Sequence, residues 1–166
     1  MISTIQEFTT EYKTEAENTA KIFKALTDAS LSQSVAKDHR TIGRMAWHIV
    51  TTYPEMTGYV DLKFPGIEKD TPMPKTAAEM AKAYEKVSSG TLDAISKWTD
   101  ADLMKEKNFY GENWKQGFMP EILIRHEIHH RAQMTVLMRQ AGLKVPGVYG
   151  PSYEEWVNYK ANPPEV

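Results

Sequence analysis

Four segments of this chain repeat apolar residues every three or four positions. That period admits little except amphipathic helices that bury one stripe against each other. In the first, Ile5, Phe8, Tyr12, Ala16, Phe23 and Leu26 share a stripe while Glu7, Lys13, Glu15, Glu17 and Lys24 fill the other face, predicting a helix over residues 3–27. The second starts from Thr41 as cap and carries Ile42, Met45, Ile49, Met56 and Tyr59 or Val60 on one side. Pro54 removes the bond to the Val50 carbonyl and predicts a kink or a break there. The third opens on Thr76-Ala77-Ala78-Glu79, a capping box, and runs Met80, Ala83, Tyr84, Val87, Thr91, Ile95 and Trp98 along its stripe. The fourth has Pro120 near its first turn and Gly142 at its C-terminal cap, with Met119, Leu123, His126, His130, Met134, Leu137 and Ala141 on one face.

Between the second and third helices, Pro65, Gly66, Pro72 and Pro74 preclude regular structure from Lys63 to Lys75, so this stretch reads as a crossover over the surface. The period fails between Thr99 and Phe118, where a short turn and a small hairpin are expected. In the tail beyond Lys144, Tyr153 and Trp156 are expected to anchor the chain on the bundle. With no internal repeat and no linker, the reading is one all-α domain over residues 1–166, a four-helix bundle with at least one long crossover.

Charge and cysteine content narrow the function. Twenty Lys and Arg against 22 Asp and Glu give a net charge of −2 and leave no basic footprint for nucleic acid. No apolar run approaches the roughly 20 residues of a membrane span. The segment Met1-Ile2-Ser3-Thr4-Ile5-Gln6-Glu7 lacks the layout of a signal peptide. A cytoplasmic protein with neither nucleic acid nor membrane as partner is therefore expected. The absence of cysteine excludes disulfides, thiolate-held metal sites and a protein thiol nucleophile.

The chemistry-bearing residues are the histidines: His39, His48, His126, His129 and His130. On a helix that advances about 100° per residue, His126 and His130 lie one above the other within the apolar stripe, so both rings are expected to point inward. His48 lies on the inner half of the second helix, near Met45 and Thr52. Together the three could supply one metal ion from two helices and leave an open position for water or substrate, the arrangement of catalytic zinc sites. The alternative is three hydrogen-bonded core histidines with no ion. His39 and His129 read as surface groups or as supports of a ligand.

His126-Glu127-Ile128-His129-His130 also satisfies the H-E-x-x-H pattern, in which the glutamate is the general base of a zinc peptidase. The extended forms fail: Gln133 stands where a metzincin carries Gly, no third histidine follows, and Glu154 and Glu155 lie in the Pro- and Gly-containing tail. No strand signal offers an edge for a peptide. Glu127 is the candidate catalytic residue, although a position about 100° around the helix from His126 turns it toward solvent or a neighbouring helix. Gln133 is placed to bond a ligand or bound water, or to form a buried contact between helices. Arg125 and Arg131 are expected to bridge to other helices or to a partner.

The chain resembles the DinB superfamily (DinB/YfiT-like metalloenzymes). Gly43-Arg44-Met45-Ala46-Trp47-His48-Ile49-Val50 and Ile124-Arg125-His126-Glu127-Ile128-His129-His130-Arg131-Ala132-Gln133-Met134 carry the likeness, with the ending around Gly142 and Val145-Pro146-Gly147-Val148-Tyr149-Gly150-Pro151-Ser152. The resemblance implies an up-down-down-up four-helix bundle with its long crossover between helices 2 and 3. It also implies a divalent metal, zinc, nickel or iron, held by His48, His126 and His130. Ala132 replaces the Gly frequent after the family's His-Arg, a small-for-small change.

Family members with known activity imply a thiol-S-transferase or isomerase that takes a low-molecular-weight thiol and a small-molecule substrate. With no cysteine in the chain, the sulfur must come from that co-substrate. Two other readings stay open beside it: a non-catalytic metal-binding stress-response protein, and an HExxH-type zinc hydrolase. Trp98, Phe109, Tyr110, Trp114 and Phe118 give the insert an aromatic surface suited to a homodimer or to covering the site.

Overall fold

Threonine side chains set where the helices begin. Thr4, Thr41 and Thr76 each accept a hydrogen bond from the backbone N–H three residues on, which satisfies a donor that the helix itself leaves free. The computed structural model describes residues 2–165. From these caps run α1 (Ile5–Lys24), α2 (Ile42–Thr57) and α3 (Ala77–Ile95). A single-turn helix, α4 (Asp100–Leu103), and an antiparallel pair of strands, β1 (Glu106–Phe109) and β2 (Glu112–Lys115), lead into the longest helix, α5 (Phe118–Gln140). The protein is therefore mostly helical with one small two-stranded sheet. α1 packs against α3 and α5, and α2 packs against the same two helices. Among the described residues no helix is long and apolar enough to cross a membrane.

Pro54 does not break α2, which stays α-helical to Thr57. The proline sits in the last turn, so the bond it cannot make to the Val50 carbonyl, and its crowding there, fall near the end of the helix. The crossover from 61 to 76 has no regular structure, as its prolines require, but it is not only a surface strap. Phe64 and Ile67 are buried, and Trp47 donates its indole N–H to the Thr71 carbonyl at 2.9 Å. Gly90 on α3 makes room for Phe64: a Cβ at that position would stand 2.7 Å from the phenyl ring.

The hairpin turns on Tyr110 and Gly111, at φ 54° and 89°, the two left-handed residues of a type I′ turn. Tyr110 packs on Tyr59, 5.0 Å between centroids, and donates to Glu55 near the end of α2. Phe109, expected on an aromatic surface, is instead fully buried, stacked on Trp114 at 5.4 Å. α5 ends as its sequence predicts: Gly142 takes φ 73°, and the Gly142 and Leu143 N–H groups bond the Arg139 and Met138 carbonyls.

Two expectations fail in instructive ways. Tyr153 does not anchor the tail, being 61% exposed, and Trp156 is only half-buried. Carboxylates hold the tail instead. Glu155 accepts from the Gly147 and Ser152 N–H groups at 3.0 Å each, and Glu154 pairs with Arg139 on α5. That guanidinium holds the Glu154 carboxyl down to about 2.

The second concerns the core face of α5. Its buried positions include Ile124, Glu127, Arg131, Met134 and Met138, so two charged residues lie on the deepest stripe, while the histidines expected there stand half-buried at its edge. Arg131 is tolerated because its donors are satisfied. One nitrogen bonds the Glu15 carboxylate at 2.6 Å and the Tyr149 hydroxyl at 2.7 Å; the other bonds the Glu15 carbonyl at 3.1 Å and the Thr19 hydroxyl at 3.0 Å. Glu15, read from the sequence as solvent-facing, is thus buried on α1 at 7% exposure. Removing one partner strands the other charge. Arg131→Ala is expected to cost about 3–5 kcal/mol in urea denaturation. Arg139→Ala, at an exposed pair, should cost no more than about 1 kcal/mol.

Candidate metal centre

α2 and α5 pack side by side, and the contact brings His48 against His126 and His130. One nitrogen from each ring lies within 4.8 Å of the other two. His48 Nε2 and His126 Nε2 stand 3.1 Å apart, and the rings meet edge to face, with centroids 4.4–4.8 Å apart. All three are half-buried. Burial lowers His48 and His126 to about 4, helped by Arg40 and by the neighbouring imidazoles, and burial lowers His130 as well. Neutral imidazoles keep an unprotonated ring nitrogen, which is the form that binds a metal. A set of three neutral nitrogens from two helices suits a borderline divalent cation such as zinc, nickel or iron.

Gln133 supports this set. His130 Nδ1–H donates to the Gln133 side-chain oxygen at 2.7 Å, which leaves His130 Nε2 as the free nitrogen. The Gln133 amide nitrogen donates in turn to His129 Nε2 at 3.1 Å. His129 and His39 are exposed, and neither belongs to the cluster. Arg125 does not bridge to another helix: it pairs with Glu121 one turn back on α5. Arg131 does, as described above.

Glu127 turns inward, at 3% exposure, to the neighbouring helices. The hydroxyls of Tyr53 on α2 and Tyr84 on α3 both donate to its carboxylate, Tyr84 at 2.8 Å. The Tyr12 hydroxyl on α1 sits behind them, 3.1 Å from Tyr53 and 3.0 Å from the Ser88 carbonyl. Burial raises the pKa of Glu127, against the pull of its hydrogen bonds and of Arg131. A surface glutamate is therefore not what the fold makes of this residue.

Tyr84 was legible as a core residue and Tyr53 was not singled out, and neither was legible as the partner of an acid. The available signal is chemical: a tyrosine deep in a core needs an acceptor for its hydroxyl. Tyr53→Phe removes one donor from a buried carboxylate and is expected to cost about 1.5–3 kcal/mol in chemical denaturation. In a Glu127→Gln background the same substitution should cost less, because the two side chains share one interaction.

Comparison with known proteins identifies the family and the fold. The model of the DinB family matches residues 1–164. The Bacillus subtilis (strain 168) protein described as uncharacterized protein YrdA is 40% identical over 167 residues, covering the whole of both chains. The crystal structure of a DinB-like protein from Bacillus cereus ATCC 10987 superposes with a TM-score of 0.85 at 47% identity, over 90% of this chain and 100% of that one. A second DinB-like protein, YjoA from Bacillus subtilis, shares the fold at a TM-score of 0.67 and 17% identity, over 86% and 97% of the two chains. With a family match over nearly its full length and three histidines gathered from the two segments that carry the likeness, the chain belongs to the DinB family.

Proposed function

We propose that this protein binds a divalent metal ion through His48, His126 and His130 and acts as a metal-dependent transferase, with a low-molecular-weight thiol as co-substrate and a small electrophile as substrate. The observation that carries the reading is the convergence of one nitrogen from each of three neutral imidazoles on α2 and α5. Bound there, a divalent cation supplies a Lewis acid that lowers the pKa of a thiol at the same centre. The chain's own residues prepare that centre. Gln133 fixes the His130 tautomer, and α2–α5 packing orients His48 toward the other two rings. Glu127 is the candidate proton acceptor, with the Tyr53 hydroxyl as its contact on the helix that carries His48.

The same reading takes the four long helices as an up-down-down-up bundle whose long crossover is the segment between α2 and α3. The packing of both α1 and α2 on α3 and α5 supports it. It also takes the protein as a homodimer, supported by the exposed Tyr110 ring at the hairpin tip.

Tag-free protein is expected to hold about one equivalent of zinc, nickel or iron by elemental analysis, and His48→Ala to lose most of it. Gln133→Ala should keep the fold but bind metal about 10–100-fold more weakly. The loaded protein should consume a reactive electrophile faster when thiol is added. Metal bound without any thiol-dependent turnover would leave a non-catalytic metal-binding protein. Full retention of metal in His48→Ala would move the site to His126 and His130 with another third ligand.

Glu127→Gln separates two roles for the buried acid. Lost turnover with metal retained supports proton transfer; unchanged turnover with lowered stability assigns Glu127 to the packing of α5.

A further inference from the structure

A cavity of about 410 Å³ borders the histidine cluster at His130, within the roughly 300–1,000 Å³ of small-molecule pockets. Its apolar lining comes from Met45 on α2, Val136 and Leu137 on α5, and Val35 on the loop that precedes α2. Val35 and Val136 are 58% and 57% exposed, so the cavity presents two branched apolar side chains to solvent. The polar lining is His39, Arg40, His130 and Gln133; no carboxylate lines it.

The loop that supplies Val35, His39 and Arg40 is built rather than loose. Ser34 pairs with Thr41 across its base, the Ile42 N–H donates to the Gln33 carbonyl at 2.8 Å, and the His39 ring contacts the Lys37 carbonyl at 3.0 Å. Among the described residues Arg40 forms no ion pair or hydrogen bond. It is nevertheless close enough to act electrostatically on all three clustered histidines. A groove of similar size between α1 and α3, about 440 Å³, carries Lys24, Lys82 and Glu85 and so has no single sign of charge.

We propose that the cavity beside His130 binds a small amphiphilic carboxylate, its apolar body against Val35, Met45, Val136 and Leu137 and its anionic group on Arg40. An unpaired guanidinium beside an apolar wall with no competing acid selects an anion, and its planar fork matches a carboxylate. The inference deepens the metal-centre reading, which it needs only for what the ligand meets at the histidine end. In that reading the co-substrate or the electrophile carries the carboxylate.

The test is a titration of hexanoate, hexanol, hexylamine and acetate followed by NMR shifts of the lining residues, in metal-loaded and in chelated protein. Hexanoate should bind best, and hexylamine and acetate worst. Arg40→Gln, a change at an exposed position that leaves the fold intact, should weaken hexanoate about tenfold and leave hexanol unchanged. Val136→Asp should weaken both.

Hexanol binding as tightly as hexanoate would overturn the proposal. So would hexanoate binding that survives Arg40→Gln but disappears on chelation, since the ion would then hold the carboxylate while the metal reading stood. Arg40-dependent hexanoate binding in protein that takes up no metal would uphold the cavity and overturn the metal centre instead.

Discussion

Arg131 sets the rotation of α5, and the candidate site follows from that rotation. The guanidinium is committed to Glu15 and Thr19 on α1 and to Tyr149 in the tail, so the helix cannot turn without unpairing a buried charge. One turn away Glu127 is held from α2 and α3 by two tyrosine hydroxyls. With positions 127 and 131 fixed inward, a step of about 100° per residue puts His126, His130 and Gln133 together on one flank. That flank faces His48 on α2. The geometry of the histidines is thus determined from the adjacent flank of their own helix, about 100° away.

Burying a guanidinium and two carboxylates costs desolvation, and well-packed apolar residues in their place could give a chain of equal or greater stability. What the polar groups add is discrimination between rotations of α5. A helix whose core stripe were only Leu and Met could slide toward the histidine side, since the apolar period already includes Met119, Leu123, Met134 and Leu137 there. Each such rotation would leave Glu15 or Glu127 without its donors, at a cost larger than the packing difference. The buried charges therefore act against the alternative that the sequence period itself suggests.

This is also why the sequence misleads at these positions and informs elsewhere. Thr41, Thr76 and Gly142 signal their roles locally, because a cap needs only its own neighbours along the chain. The pairing of His126 with His130 is local too, a matter of one helical turn. Arg131 reads as a bridge without a named partner, and Glu15 and Glu127 read as solvent-facing because charge at a single position predicts exposure. What reverses it is a partner such as Glu15, 116 residues from Arg131 in sequence. Tyr153 fails in the opposite sense: an aromatic ring predicts an anchor, but the tail is fastened by Glu154 and Glu155. Arg40 gave no signal at all, since a loop basic residue becomes informative only once the surrounding wall is seen to lack acids.

The half-burial of the three histidines, a departure from the inward-facing stripe, has chemical content. Rings at the centre of the core would be closed to any ligand larger than an ion. Rings in full solvent would be protonated through much of the range below neutrality and would be poor donors until a proton left. At the edge of the stripe, burial and the nearby cations keep His48 and His126 neutral down to about 4, while the cavity under the loop of residues 33–41 leaves His130 open on one side. α5 can serve both ends only because its two flanks are divided, with the buried Arg131–Glu15 pair and the tyrosine hydroxyls on Glu127 holding one side rigid and the other free to carry donors that a packed core would not accept. A substitution on the Arg131 side that preserved stability but relaxed the rotation would therefore disturb the histidine geometry without touching a histidine.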